Sequence, residues 1–191
     1  MKLATSTYPL RPARVHEACG SAAVSFVLRT AEVMNTDLLW VCPRWRTEQI
    51  NPLGFDVYDP SRLLIAHTKD QTETLAVAEE ALRDGAISMV VIDITAPLNL
   101  TAGRRLQLAA KAGDTVGLCL IPDGMGSNAA ETRWHCVPVF DARDSTLQRW
   151  ELIKNKSGTL GAWYVRWDAK TRRINVVPPA RERPGSTDTP D

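Results

Sequence analysis

The feature that most narrows the fold is a helix signature that stops at a glycine and runs almost at once into a wholly apolar segment. Leu75, Ala78, Ala81 and Leu82 recur at helical spacing from about Gln71, marking one face of an amphipathic helix. Gly85 follows, and glycine takes up the left-handed cap of a helix without a side-chain clash. Residues 89–92, Met-Val-Val-Ile, then present no polar side. Strands of that kind are buried on both faces, as at the centre of a parallel sheet. Asp93 closes the run, at the strand end where open α/β sheets hold their ligands.

The same alternation recurs along the chain. Residues 15–19 read as a short strand, and residues 21–35 as a helix with Val24, Val27, Leu28, Ala31 and Met34 facing a core. Residues 38–42, Leu-Leu-Trp-Val-Cys, form a buried strand stopped by Pro43. Residues 51–55 carry one turn of helix, and residues 63–67 the next strand. Residues 100–111 read as a helix with Leu106, Ala109 and Ala110 inward, and residues 116–121 as a further strand. Repeated helix–strand alternation predicts a mostly parallel central sheet flanked by helices on both faces. From Thr132 the pattern changes to strands over 132–140, 148–154, 162–167 and 173–177 joined by tight turns. These predict antiparallel hairpins that extend the sheet edge.

A length of 191 residues suits one domain with a real core. We place that domain at residues 15–177, with a flexible polar arm over 1–14 and a disordered Pro-, Arg- and Ser-rich tail over 178–191. A formal net charge of +1 excludes a generally electrostatic partner, so nucleic-acid contact would need a local patch. Cys19, Cys42, Cys119 and Cys136 are widely spaced and form no C-x-x-C pair, which reads as reduced core thiols rather than a metal site. The first residues lack the apolar stretch of a signal peptide, and no segment reaches membrane-spanning length. A cytoplasmic protein is expected.

Particular phrases carry a family resemblance: Val15-His16-Glu17 before Gly20, Glu79-Glu80-Ala81-Leu82-Arg83, Arg104-Arg105-Leu106-Gln107-Leu108, Thr132-Arg133-Trp134 and Gly161-Ala162-Trp163. In this order they resemble the ImuA family, RecA-like proteins of bacterial mutagenesis cassettes related to the division inhibitor SulA. The resemblance spans residues 15–167. It implies a RecA-like core and a role in SOS-induced translesion synthesis. It also implies partners: an ImuB-like polymerase homologue, RecA and the error-prone polymerase DnaE2. Residues 152–156, Leu-Ile-Lys-Asn-Lys, resemble the RecA strand whose two lysines reach ATP across a subunit interface.

The chemistry of a P-loop needs glycines, a lysine and a Ser/Thr at fixed spacing, G-x-x-x-x-G-K-[ST], so that backbone amides wrap the phosphates. Residues 18–25 here are Ala-Cys-Gly-Ser-Ala-Ala-Val-Ser, and no lysine occurs between Lys2 and Lys69. Asp93 stands where P-loop ATPases hold magnesium. After the strand at 38–42, Pro43, Arg44 and Trp45 replace the glutamate that RecA-like ATPases use to orient water, and Glu48 comes too late. The reading is a degenerate ATPase core with no catalytic residue, cofactor or metal, in which Gly20, Ser21, Asp93, Lys154 and Lys156 are vestigial nucleotide-site positions. His16, His67 and His135 read as structural or surface residues.

Lys154, Lys156, Arg166, Lys170, Arg172 and Arg173 are interleaved with Trp150, Trp163, Tyr164 and Trp167. Basic residues among aromatics suit a single strand, but Trp163 and Trp167 also read as core residues, so only weak DNA contact is expected. Arg104, Arg105, Lys154, Lys156, Arg172, Arg173, Arg181 and Arg183 are the expected contacts to protein or nucleic acid. The leading reading is a non-catalytic docking protein. The alternatives are a divergent DNA-dependent ATPase and a SulA-like inhibitor of division.

Overall fold

The structure is a computed structural model and describes residues 10–46, 50–51 and 57–178. Five strands, β1 (Arg14–Cys19), β2 (Leu38–Pro43), β3 (Leu63–Thr68), β4 (Met89–Asp93) and β5 (Val116–Leu120), come first. Three helices lie between them, α1 (Ala23–Met34), α2 (Gln71–Asp84) and α3 (Leu100–Ala112). Four strands follow, β6 (Thr132–Pro138), β7 (Gln148–Asn155), β8 (Gly161–Asp168) and β9 (Arg173–Val177). The described strands form one sheet in the order β3-β2-β4-β5-β1-β6-β7-β8-β9.

β4 sits between β2 and β5, parallel to both, with all five residues buried. Its four apolar residues before Asp93 fit that place, since helices cover both sides. β6 runs parallel to β1, with Glu17 opposite Arg133; β7, β8 and β9 then add antiparallel. The architecture is therefore the expected parallel sheet with antiparallel strands at its C-terminal edge.

Each face has its own core. α1 packs Phe26, Val27 and Ala31 onto Trp40, Val91, Leu118, Trp134 and Trp150. α2 and α3 bring Ala78, Leu82, Leu106, Ala109 and Ala110 to Val90, Ile92 and Cys119 on the other face. Phe26, absent from the expected stripe, is the centre of the first core. Its ring stands edge-on to Trp150 at 4.7 Å and 5.5 Å from Trp134, arrangements that aromatic quadrupoles favour. Val24, expected inward, is exposed, because α1 is turned so that its 26–27–31 side meets the sheet.

The helix ends follow their sequence. Asp70 accepts from the Glu73 amide and Asn99 from the Ala102 amide, both N-cap contacts. Gly85 closes α2 at φ +77, and a Cβ there would lie 2.6 Å from the Gly113 carbonyl at the end of α3.

The loose arm expected over 1–14 is corrected from residue 10 onward. Leu10 is buried in the α1-side core, and the Arg11 guanidinium pairs with Glu131 at 2.7 Å. An apolar side chain next to an arginine gave the segment both a core contact and an ion pair. Residues 1–9 and 179–191, and with them Arg181, Arg183 and most of the expected tail, lie outside the described residues, as does most of the helical turn expected over 51–55.

Candidate functional site

The turn between β1 and α1 is short and closed. Gly20 adopts φ +89, and the Ala22 amide donates to the Cys136 carbonyl of β6 at 2.9 Å. The Ala23 amide donates back to the Gly20 carbonyl at 3.0 Å. A Cβ on Gly20 would lie 2.4 Å from that same Cys136 oxygen. Strand β6 thus occupies the space in front of the turn, and an amide at the helix N-terminus, the kind of group that meets anions elsewhere, bonds to protein backbone. Ser21 is exposed at the turn.

Asp93 is buried at the end of β4. Its carboxylate accepts from Trp40 Nε1 at 3.3 Å and pairs with Arg46 at 3.1 Å. Arg46 follows β2, so the pair ties together the ends of two neighbouring strands. Burial of a carboxylate is costly without such a counter-charge. Reasoning from sequence missed Arg46. The signal was there: a basic residue just past one strand and an acid at the end of its neighbour. Asp93 and Arg46 border a cavity of about 900 Å³ on the α1 face, with Ser21, Trp40, Cys42 and His67 among its described lining. Cys42 and His67 are register partners on β2 and β3, with Sγ and Nδ1 3.5 Å apart. Burial, then the charge of Asp93, raises the Cys42 thiol above its ordinary value, which disfavours the thiolate a nucleophile requires.

Lys154 and Lys156 lie elsewhere. Neither is among the described lining of that cavity; Lys154 is opposite Arg133 on β6, itself opposite Glu17, and both lysines reach the turn before β6. Lys154 donates to the carbonyls of Asn128 and Ala130, and Lys156 to that of Ala129 at 2.6 Å. Gln107 of α3 also donates to Ala129, at 3.0 Å. Partial burial, then the neighbouring Lys156, lowers the Lys154 ammonium from its usual range. Within one chain the five vestigial positions therefore divide. Ser21 and Asp93 share a cavity, Gly20 makes the turn just before Ser21, and the two lysines pin the turn at 128–130.

The basic residues are likewise divided. Arg105 pairs with Glu79 at 2.7 Å, Arg172 with Glu32 at 2.6 Å, and Arg166 with Asp144 at 3.1 Å. Arg104 and Arg173 are exposed. Trp150 and Trp167 are buried, and Trp163 packs 5.7 Å from Trp134. Trp150 and Trp163 belong to the α1-side core and Trp167, though buried, borders the cavity, so these three rings form no stacking platform among the exposed cations. Glu17 was also missed from sequence: it is buried in β1 and bonds Arg133 and the Ser127 amide, each at 2.7 Å.

Among the described residues no group of three His, Cys, Asp or Glu is placed to hold a metal ion, and no helix is long and apolar enough to cross a membrane. No protein-family model matches the chain. Two curated relatives, both named Protein ImuA, come from Caulobacter vibrioides strains NA1000 / CB15N and ATCC 19089 / CIP 103742 / CB 15. Each is 28% identical over 170 residues, covering 84% of this chain. The match spans 66% of those relatives, just under two thirds of their length. Among solved structures, the RadB recombinase superposes with a TM-score of 0.64 at 16% identity, over 87% of this chain and 92% of that one. The chain is thus ImuA-like in sequence and RecA-like in fold.

Proposed function

We propose that this chain is a non-catalytic, RecA-like accessory protein of DNA damage tolerance that acts by docking. Its partners in this reading are an ImuB-like polymerase homologue, RecA and the error-prone polymerase DnaE2, in translesion synthesis. The similarity to Protein ImuA supports the pathway. The observation that carries the loss of catalysis is the closed β1–α1 turn, where Ala22 bonds Cys136 and no lysine or second glycine is present to cradle a phosphate. The Asp93 carboxylate is engaged by Trp40 and Arg46, a state that favours a structural role.

Calorimetric titration with magnesium-ATP tests the first half of the reading, with no saturable heat expected; micromolar binding would end it. Co-purification with the ImuB-like homologue tests the second half. Failure to co-purify, with both proteins well expressed, counts against docking.

The cavity bordered by Ser21 and Asp93 favours one second reading, a divergent ATPase acting on DNA. Steady-state ATP turnover with and without DNA separates the two.

A further inference from the structure

The exposed side of α3 carries Leu100, Arg104 and Leu108, four residues apart and so on one face. Leu100 is 46% exposed and Leu108 68% exposed. Beside them a groove of about 320 Å³ is bounded by Gln107, Asn128, Ala129 and Lys156. Its described lining contains no acid, and α3 itself has none. Arg104 takes part in no ion pair among the described residues, unlike its neighbour Arg105. Lys156 spends one donor on the Ala129 carbonyl, and an ammonium has three.

The groove is also preformed. Gly103 lets α3 approach the turn so closely that a Cβ would lie 2.7 Å from both Ala129 Cβ and Ser127 Oγ. Gln107 fixes the floor through the Val15 and Ala129 carbonyls. A rigid concavity loses little entropy when it is filled.

We propose that this groove binds an acidic amphipathic segment of a partner protein, with an apolar side chain between Leu100 and Leu108 and carboxylates toward Arg104 and Lys156. The proposal rests on the docking reading and adds where, and by what chemistry, the partner sits. Charge complementarity selects an acidic ligand. The leucines select a peptide over nucleic acid, because the described lining has no aromatic ring to stack a base, and two cations neutralise too few phosphates for firm binding.

The test uses the full chain and a fluorescein-labelled helical peptide of Glu, Ala and Leu with leucines one turn apart. Anisotropy should show saturable binding. Leu108→Glu and Arg104→Glu, both at exposed positions, should each weaken it by about tenfold, the scale of one hot-spot contact. The same peptide with Lys for Glu should not bind, and single-stranded DNA should not compete. The groove proposal is overturned if the wild-type chain fails to bind, if both variants bind like wild type, if the Lys peptide binds equally, or if DNA displaces the peptide. Co-purification with the ImuB-like homologue that survives Leu108→Glu and Arg104→Glu removes the groove and leaves the docking reading standing. Absence of co-purification by the wild-type chain fails the docking reading, whatever the peptide does.

Discussion

Glu17 and Arg133 form an ion pair of 2.7 Å across neighbouring parallel strands, with the Glu17 side chain only 2% exposed. The second Glu17 oxygen accepts from the Ser127 amide at 2.7 Å, so one carboxylate joins β1, β6 and the turn before β6.

Removing only the acid leaves a cation and an amide without their partner. Glu17→Ala should therefore cost about 3–5 kcal/mol in urea unfolding, as broken buried pairs do. Replacing both members, Glu17→Ala with Arg133→Met, should recover part of that loss. A single-variant loss below about 0.5 kcal/mol would show that the pair carries no stability.

Gly20→Ala meets two penalties, a left-handed backbone and a Cβ 2.4 Å from the Cys136 oxygen. The first costs about 1–2 kcal/mol and the second about 1–3 kcal/mol. A fall in midpoint corresponding to about 2–5 kcal/mol is expected. An unchanged midpoint would mean that β6 does not close the turn.

His16 is fully buried, with Nε2 donating to the Arg11 carbonyl at 3.0 Å and Nδ1 2.7 Å from the Thr132 hydroxyl. Burial holds the imidazole down from 6.5 to about 4. Between those values the unfolded chain binds a proton that the folded chain does not, so stability falls as pH falls through that window. The full loss is about 3 kcal/mol, complete near pH 4 and absent above about pH 6.5. The difference in stability between wild type and His16→Asn, measured against pH, should show this slope. A flat difference would place the imidazole in water.

The thiols should sort by burial. Cys19, Cys119 and Cys136 are buried, and desolvation pushes Cys19 up to about 12 and the other two upward as well. At pH 8 a thiol reagent should label Cys42 alone in the folded chain, slowly, and all four after unfolding. Rapid labelling of a second thiol in the folded chain would contradict the packing of β1, β5 or β6.

Periodicity made the sheet legible. The apolar run at β4, the α2 stripe ending at Gly85 and the small inward residues of α3 each have one low-energy placement. Contacts between distant segments were harder to read. Val24 and Phe26 are both apolar on α1, and only the position of Trp134 and Trp150, more than a hundred residues later, decides which is buried. Asp93 was visible as a strand-end acid, but its neutralisation by Arg46 depends on β2 and β4 lying side by side. The two lysines were legible as a pair, while their use on the 128–130 carbonyls depends on how β6 folds back along β7.

That turn has a mechanical consequence. Its three successive carbonyls are gripped by Lys154 of β7, by Lys156 just past its end and, through Gln107, by α3. The helical layer of the parallel half and the ribbon of antiparallel strands are therefore riveted at a common point. Severing the chain beyond β6 would take away both lysine rivets, so the remaining fragment would lose the brace on its own final turn along with the missing strands.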